Sequence, residues 1–187
     1  MKIHVLIYNE FANFEVMLIG WMKSNGHEIV TVSLEENYVT SVEGFKIIAD
    51  TKLQEVNVAD VELLLIPGGD APSLLGSSLL PEFIREVAAA GKGIGAICYG
   101  PILLGESGIL EGKNFTTSVD VDDELFTHFK NGKFLNEDVV VDGNIITAKG
   151  NAYVEFAVEV CKQMELVHPE TLDFYAKFLK NRKETIV

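Results

Sequence analysis

"GIGAICYGPILL", residues 93–104, changes character in the middle. Gly93 to Cys98 is small and apolar and reads as a short strand. Tyr99 to Gly108 reads as the helix that follows, with a proline near its first turn. A strand that passes straight into a helix is the joint of a parallel sheet, and the same joint recurs along the chain. "KIHVLIY" (2–8) leads to "FEVMLIGWMK" (14–23), with "SNGH" (24–27) as the stop. "EIVTVSL" (28–34) is a second strand, and "VELLLIPGGD" (61–70) is a buried strand ended by Pro67 and two glycines. A helix over 81–92 comes after it. Around Gly44, residues 39–53 read as two short extended runs, and 138–150 as a hairpin turning at Asp142-Gly143. Helical stretches over 152–166 and 169–183 close the chain. Strands alternating with helices predict a mostly parallel sheet covered on both faces, an α/β sandwich.

The 187 residues show no repeat, low-complexity segment or linker, so one domain over 1–187 is expected. The net charge of −13 opposes a nucleic-acid or anionic-membrane partner. No apolar run approaches the length of a membrane span, and "MKIHVLIY" is too short for a signal peptide. Cys98 and Cys161 sit in unrelated contexts with no metal-ligand spacing. That favours a reducing cytoplasm over a disulfide scaffold, and neither metal nor cofactor is expected.

Ligands of open α/β sheets gather beyond the carboxyl ends of the strands, and Cys98 falls at such a point. Gly95, Ala96 and Gly100 leave room for a nucleophile elbow, a sharp turn that presents one side chain. A thiol there feels the positive end of the following helix, which favours the thiolate. The other reading is a small residue filling space, the role that Cys161 takes among Phe156, Ala157 and Val160. Gly68 and Gly69 either make a tight turn or bring backbone N–H groups to an oxyanion. Glu15 either stabilises a helix start or shares the rim with Cys98, and apolar Phe14, Val16, Met17 and Leu18 around it suggest burial.

The ordered set FANFE, IPGGD, AICYGP and TAKGNAYVEFA, spanning residues 1 to about 166, resembles the ThiJ/PfpI superfamily of the class I glutamine amidotransferase-like fold. The resemblance implies a flavodoxin-like three-layer sandwich, a homodimer or larger oligomer, and a nucleophile-elbow Cys98 hydrogen-bonded to Glu15. It also implies amide donors at Gly68, Gly69 and Tyr99. Two departures stand out. Many members carry a histidine directly after the cysteine, where this chain has Tyr99. The parkinsonism-associated branch places one after a "TT" pair, where this chain has Ser118. Of the four histidines, only His128 comes from a region able to approach the site. Without an imidazole, proteolysis is not expected.

Three functions are compatible with these residues. One is an enzyme acting on small reactive aldehydes or their adducts, glyoxalase- or deglycase-like, with Cys98 as nucleophile and Glu15 as acid/base. The second is a redox-sensing or stress-protective protein in which Cys98 is oxidised. The third is a binding module that keeps the pocket without the chemistry. In the first two, Cys98 is expected to be a thiolate steadied by a neutral Glu15.

Overall fold

The most apolar runs form the centre of the sheet. In the computed structural model, which describes residues 1–24 and 26–180, β1 (Lys2–Leu6) leads into α1 (Phe14–Met22) and β2 (Glu28–Ser33). β3 (Tyr38–Thr40) and β4 (Lys46–Ile48) pair antiparallel as the hairpin expected around Gly44. β5 (Thr51–Lys52) then joins β2 in parallel, a pairing the sequence did not suggest. β6 (Leu63–Ile66), α2 (Leu80–Ala89), β7 (Gly93–Ile97) and α3 (Pro101–Ser107) follow. Next come β8 (Asn114–Phe115) and β9 (Lys133–Phe134), which pair with each other in parallel. The hairpin of β10 (Val139–Asp142) and β11 (Ile145–Ala148) precedes α4 (Tyr153–Gln163) and α5 (Pro169–Leu179). The last three residues of the helix expected over 169–183, and Asn25 of the expected stop at 24–27, lie outside the described residues.

The main sheet has the order β10-β11-β7-β6-β1-β2-β5, parallel except for the edge strand β10. Helices α1, α4 and α5 pack together, as do α2 and α3, and the two groups cover the sheet as a three-layer α/β sandwich. Burial on both faces explains the uniformly apolar Leu63–Ile66. Each such side chain contributes about 1.5–3 kcal/mol. Among the described residues, no helix is long and apolar enough to cross a membrane.

The chain leaves β1 toward β2 and returns to β6 on the other side of β1, so the strand order reverses between β1 and β6. A crevice opens at the carboxyl ends beside such a reversal. Several boundaries move because of what happens there. The strand expected to reach residue 70 ends at Ile66, since Pro67 has no N–H to offer and Gly68 turns its own away from the sheet. The helix expected from Tyr99 starts at Pro101, because Cys98 is in the left-handed region and Tyr99 and Gly100 form the bend.

Candidate functional site

Four neighbouring strands of the sheet, β11, β7, β6 and β1, each deliver one component just past their carboxyl ends. β7 delivers Cys98, whose φ is +64°, a region that costs a residue with a β-carbon about 1–2 kcal/mol. Such strain persists only where the surroundings fix the backbone. Cys98 N donates to Ala148 O (2.8 Å), while Cys98 O accepts from Ser118 N (2.9 Å) and Thr117 Oγ1 (2.8 Å). The bend is therefore held from β11 and from the 117–118 loop together.

Glu15 is the second residue of α1. Its buried stripe continues through Ile19 and Met22, so the core-facing side of the helix begins with an acid. The side chain is 2% exposed and hydrogen-bonds Cys98. Gly68 N donates to Glu15 Oε2 at 2.6 Å. A β-carbon on Gly68 would lie 2.9 Å from both Cys98 Sγ and Glu15 Oε2. One on Gly150, after β11, would lie 2.8 Å from Sγ and 3.0 Å from Oε1. The thiol and carboxyl thus meet in a slot walled by two glycines, and only glycine leaves it open.

Ser118 belongs to this cluster. Its Oγ accepts from Gly150 N (2.9 Å), leaving its own O–H to donate to the Cys98 sulfur. Tyr99 N–H also points to that sulfur. Gly69, at φ +89°, has an N–H with no protein acceptor among the described residues, and packs against the backbone of Glu10 to Ala12. Gly68 departs from the expectation of an oxyanion donor, because its N–H is already committed to Glu15. His128 departs as well. It packs by its backbone carbonyl against Gly105, in the second half of α3, while Cys98 precedes the start of that helix. His4 faces Lys2, Asp60 and Glu28, near the opposite, amino end of the strands.

The charge on the sulfur also differs from the expectation. Burial pushes the Cys98 thiol up to about 11, and the Glu15 carboxylate beside it pushes the same way, against weaker help from Ser118 and Tyr99 N–H. The seven-residue α3 is too short to offset this. Glu15 is also raised, mainly by burial, with Gly68 N–H and Cys98 holding it back and Glu43 adding to the rise. At neutral pH the pair is a thiol donating to a carboxylate, not a thiolate beside a neutral acid. Cys161, buried with no such partners, is pushed up to about 12 by burial alone.

Sequence reasoning missed Gly150 and Tyr8. Gly150 stands in the TAKGN run directly after a strand, the same signal that singled out Gly68. Tyr8 closes the β1 run with a hydroxyl at the rim and is 2% exposed. Among the described residues no cluster of three or more His, Cys, Asp or Glu is placed to hold a metal ion.

Residues 1–163 match the DJ-1/PfpI family. The chain is 30% identical to deglycase PfpI of Pyrococcus furiosus, over 80% of this chain and 90% of that one. It is 27% identical to the uncharacterized protease YoaZ of Bacillus subtilis, over 97% and 92%. Its fold is similar to that of a solved DJ-1 superfamily protein of Agrobacterium tumefaciens, with a TM-score of 0.85 and 25% identity, over 98% of this chain and all of that one. Fold and sequence agree over the span that builds the slot, and the chain belongs to the DJ-1/PfpI family, the ThiJ/PfpI superfamily of the sequence motifs.

Proposed function

We propose that this protein converts small reactive aldehydes, or the adducts they form, through the Cys98–Glu15 pair. The observation that carries this reading is a strained, half-buried cysteine whose thiol meets a buried carboxylate in a slot only glycines permit. With methylglyoxal as substrate, the sulfur adds to the aldehyde carbon while its proton passes to Glu15. The carbonyl electron pair moves to oxygen, and that oxyanion is met by the free Gly69 N–H and the Tyr99 N–H. Glu15 gives its proton to the oxygen, forming a hemithioacetal. As a carboxylate again, it removes the hydrogen from the former aldehyde carbon and returns it to the neighbouring carbon. The product is a lactoyl thioester, and water releases lactate and regenerates the thiol. A base raised above the ordinary carboxylate range is better matched to this carbon acid than an ordinary glutamate.

A groove lined by Ser118, Asn136 and Lys149 reaches the site at Ser118, and its polar walls suit an oxygen-rich small molecule. The protease reading suggested by the Bacillus relative's name lacks an imidazole to protonate a leaving amine, His128 lying along α3. The sensor reading ranks second, because a thiol protonated at neutral pH is a slow partner for peroxide. The test is lactate formation from methylglyoxal by the wild type, Cys98→Ser and Glu15→Gln. Turnover is expected only in the wild type. No turnover, with peroxide oxidising Cys98 ahead of Cys161, would move the protein to the sensor class.

We also propose a homodimer. The β3–β4 hairpin leaves Phe45 63% and Ile48 77% exposed, with Tyr38 and Val42 beside them, and Met17 of α1 and Ile47 of β4 line one shared groove. A second copy of this chain, as the family resemblance implies, would cover that surface.

A further inference from the structure

Tyr8 is buried at the rim of β1 and makes no contact that the proposed chemistry uses, yet its hydroxyl is aimed at the site's framework. It donates to Pro67 O at 2.8 Å and to Gly68 O at 2.7 Å. Pro67 O and Gly68 N belong to one peptide group. The same peptide that accepts from Tyr8 on its oxygen therefore donates from its nitrogen to Glu15 Oε2 at 2.6 Å. Hydrogen bonds in series polarise one another, so an acceptor bond on the carbonyl strengthens the N–H as a donor.

We propose that Tyr8 is a positioning residue of this site: acting through the Pro67–Gly68 peptide, its hydroxyl holds the negative charge of the Cys98–Glu15 pair on the carboxylate. The proposal rests on the pair reading above. Gly68 O has a second donor in Ala12 N (3.0 Å), so the loop keeps an anchor when the hydroxyl is removed. The Pro67 oxygen, in contrast, would lose its Tyr8 donor. Burial, together with the charges of Glu15, Cys98 and Asp70, keeps the phenol protonated far into alkaline pH, so it remains a donor wherever the pair titrates. Facing Glu15 are Cys98, Gly68 N–H and Glu43. The last is itself tied to the start of α1 by accepting from Asn13 N and Phe14 N. Facing the thiol are Glu15, Ser118 and Tyr99 N–H. Neither set contains a fixed cation, so backbone donors carry the stabilisation of the carboxylate.

The test is the pH profile of Cys98 alkylation by iodoacetamide in a double-mutant cycle of Tyr8→Phe and Glu15→Gln. Removing the hydroxyl weakens the Gly68 donor and destabilises the carboxylate, so a larger share of the pair becomes thiolate beside a neutral acid. The acid limb, which reports Glu15, should move up by roughly half a pH unit, and the rate at pH 7 should rise by up to about three-fold. A loosened site would change the rate without moving the limb. In the Glu15→Gln background, Tyr8→Phe should change neither. If Glu15→Gln alters the profile but Tyr8→Phe does not, or acts equally in both backgrounds, the relay is wrong and the pair stands. If Glu15→Gln itself leaves the profile unmoved, the pair reading falls and takes the relay with it. Should Tyr8→Phe fail to fold, 3-fluorotyrosine placed at position 8, a stronger O–H donor, should shift the acid limb downward. An unmoved limb there overturns the relay.

Discussion

At Cys98 the backbone and the side chain make opposite demands. The bend needs φ +64°, which glycine would occupy without strain, and the chemistry needs a sulfur. Cys98→Gly should therefore be more stable than Cys98→Ala by about 1 kcal/mol, read from urea midpoints, with both inactive. Equal midpoints would mean the surroundings relieve the strain. Glu15 carries a different cost. Its folded-state pKa lies above the ordinary 4.5, so the fold favours its protonated form. The stability this gives is complete below the ordinary value and is lost as pH rises through the raised one. Glu15→Gln should accordingly melt a few degrees higher than the wild type at pH 8 and no higher at pH 4, while turnover falls about 10²–10⁴-fold. A stability gain that ignores pH would separate the effect from ionisation.

The joint between β7 and α3 depends on a close approach by backbone from β6. A β-carbon on Gly100 would lie 2.5 Å from Ile66 O and 2.8 Å from Pro67 O, and neither carbonyl can swing aside like the end of a side chain. Gly100→Ala should cost at least about 1–3 kcal/mol in urea unfolding and displace the thiol enough to abolish turnover. A variant of unchanged stability would show that β6 and β7 can slide apart at that end. These joints were also the legible part of the sequence. "GIGAICYGP" and "LLLIPGG" announce a strand, a stop and a turn in residue types alone, so Cys98 and the glycines around it could be found. Glu15 could be placed because the apolar pattern of α1 runs through it. Residues 109–137 were not legible. They hold two-residue strands and a short 3-10 helix gathered around Phe115, Phe126, Phe129 and Phe134, and such pieces show no period to read. The direction of the Gly68 N–H and the partner of the Tyr8 hydroxyl depend on which strands become neighbours, so no local pattern records them. The thiol's charge was misjudged for a related reason. The helix field is visible in the sequence, but the depth of burial that outweighs it is not.

For the molecule as a whole, the net charge of −13 and the exposed apolar hairpin act against each other. Two copies joined through Phe45 and Ile48 would repel over their remaining surfaces, and salt weakens that repulsion more than it weakens apolar contact. Light scattering should find a dimer that tightens as salt rises, and Phe45→Glu with Ile48→Lys should leave a folded monomer. A wild type that is monomeric at every salt concentration would remove the hairpin from consideration.

Because the slot is walled by loops from β1, β6, β7 and β11, it has no existence in any fragment of the chain. A ribosome that has released Cys98 but not yet Gly150 holds an ordinary thiol, without its carboxylate neighbour set in place and without the bend that presents it. Chemical competence therefore arrives only as synthesis nears its end, and an unfinished or misfolded copy poses no hazard to the cell's other carbonyl compounds.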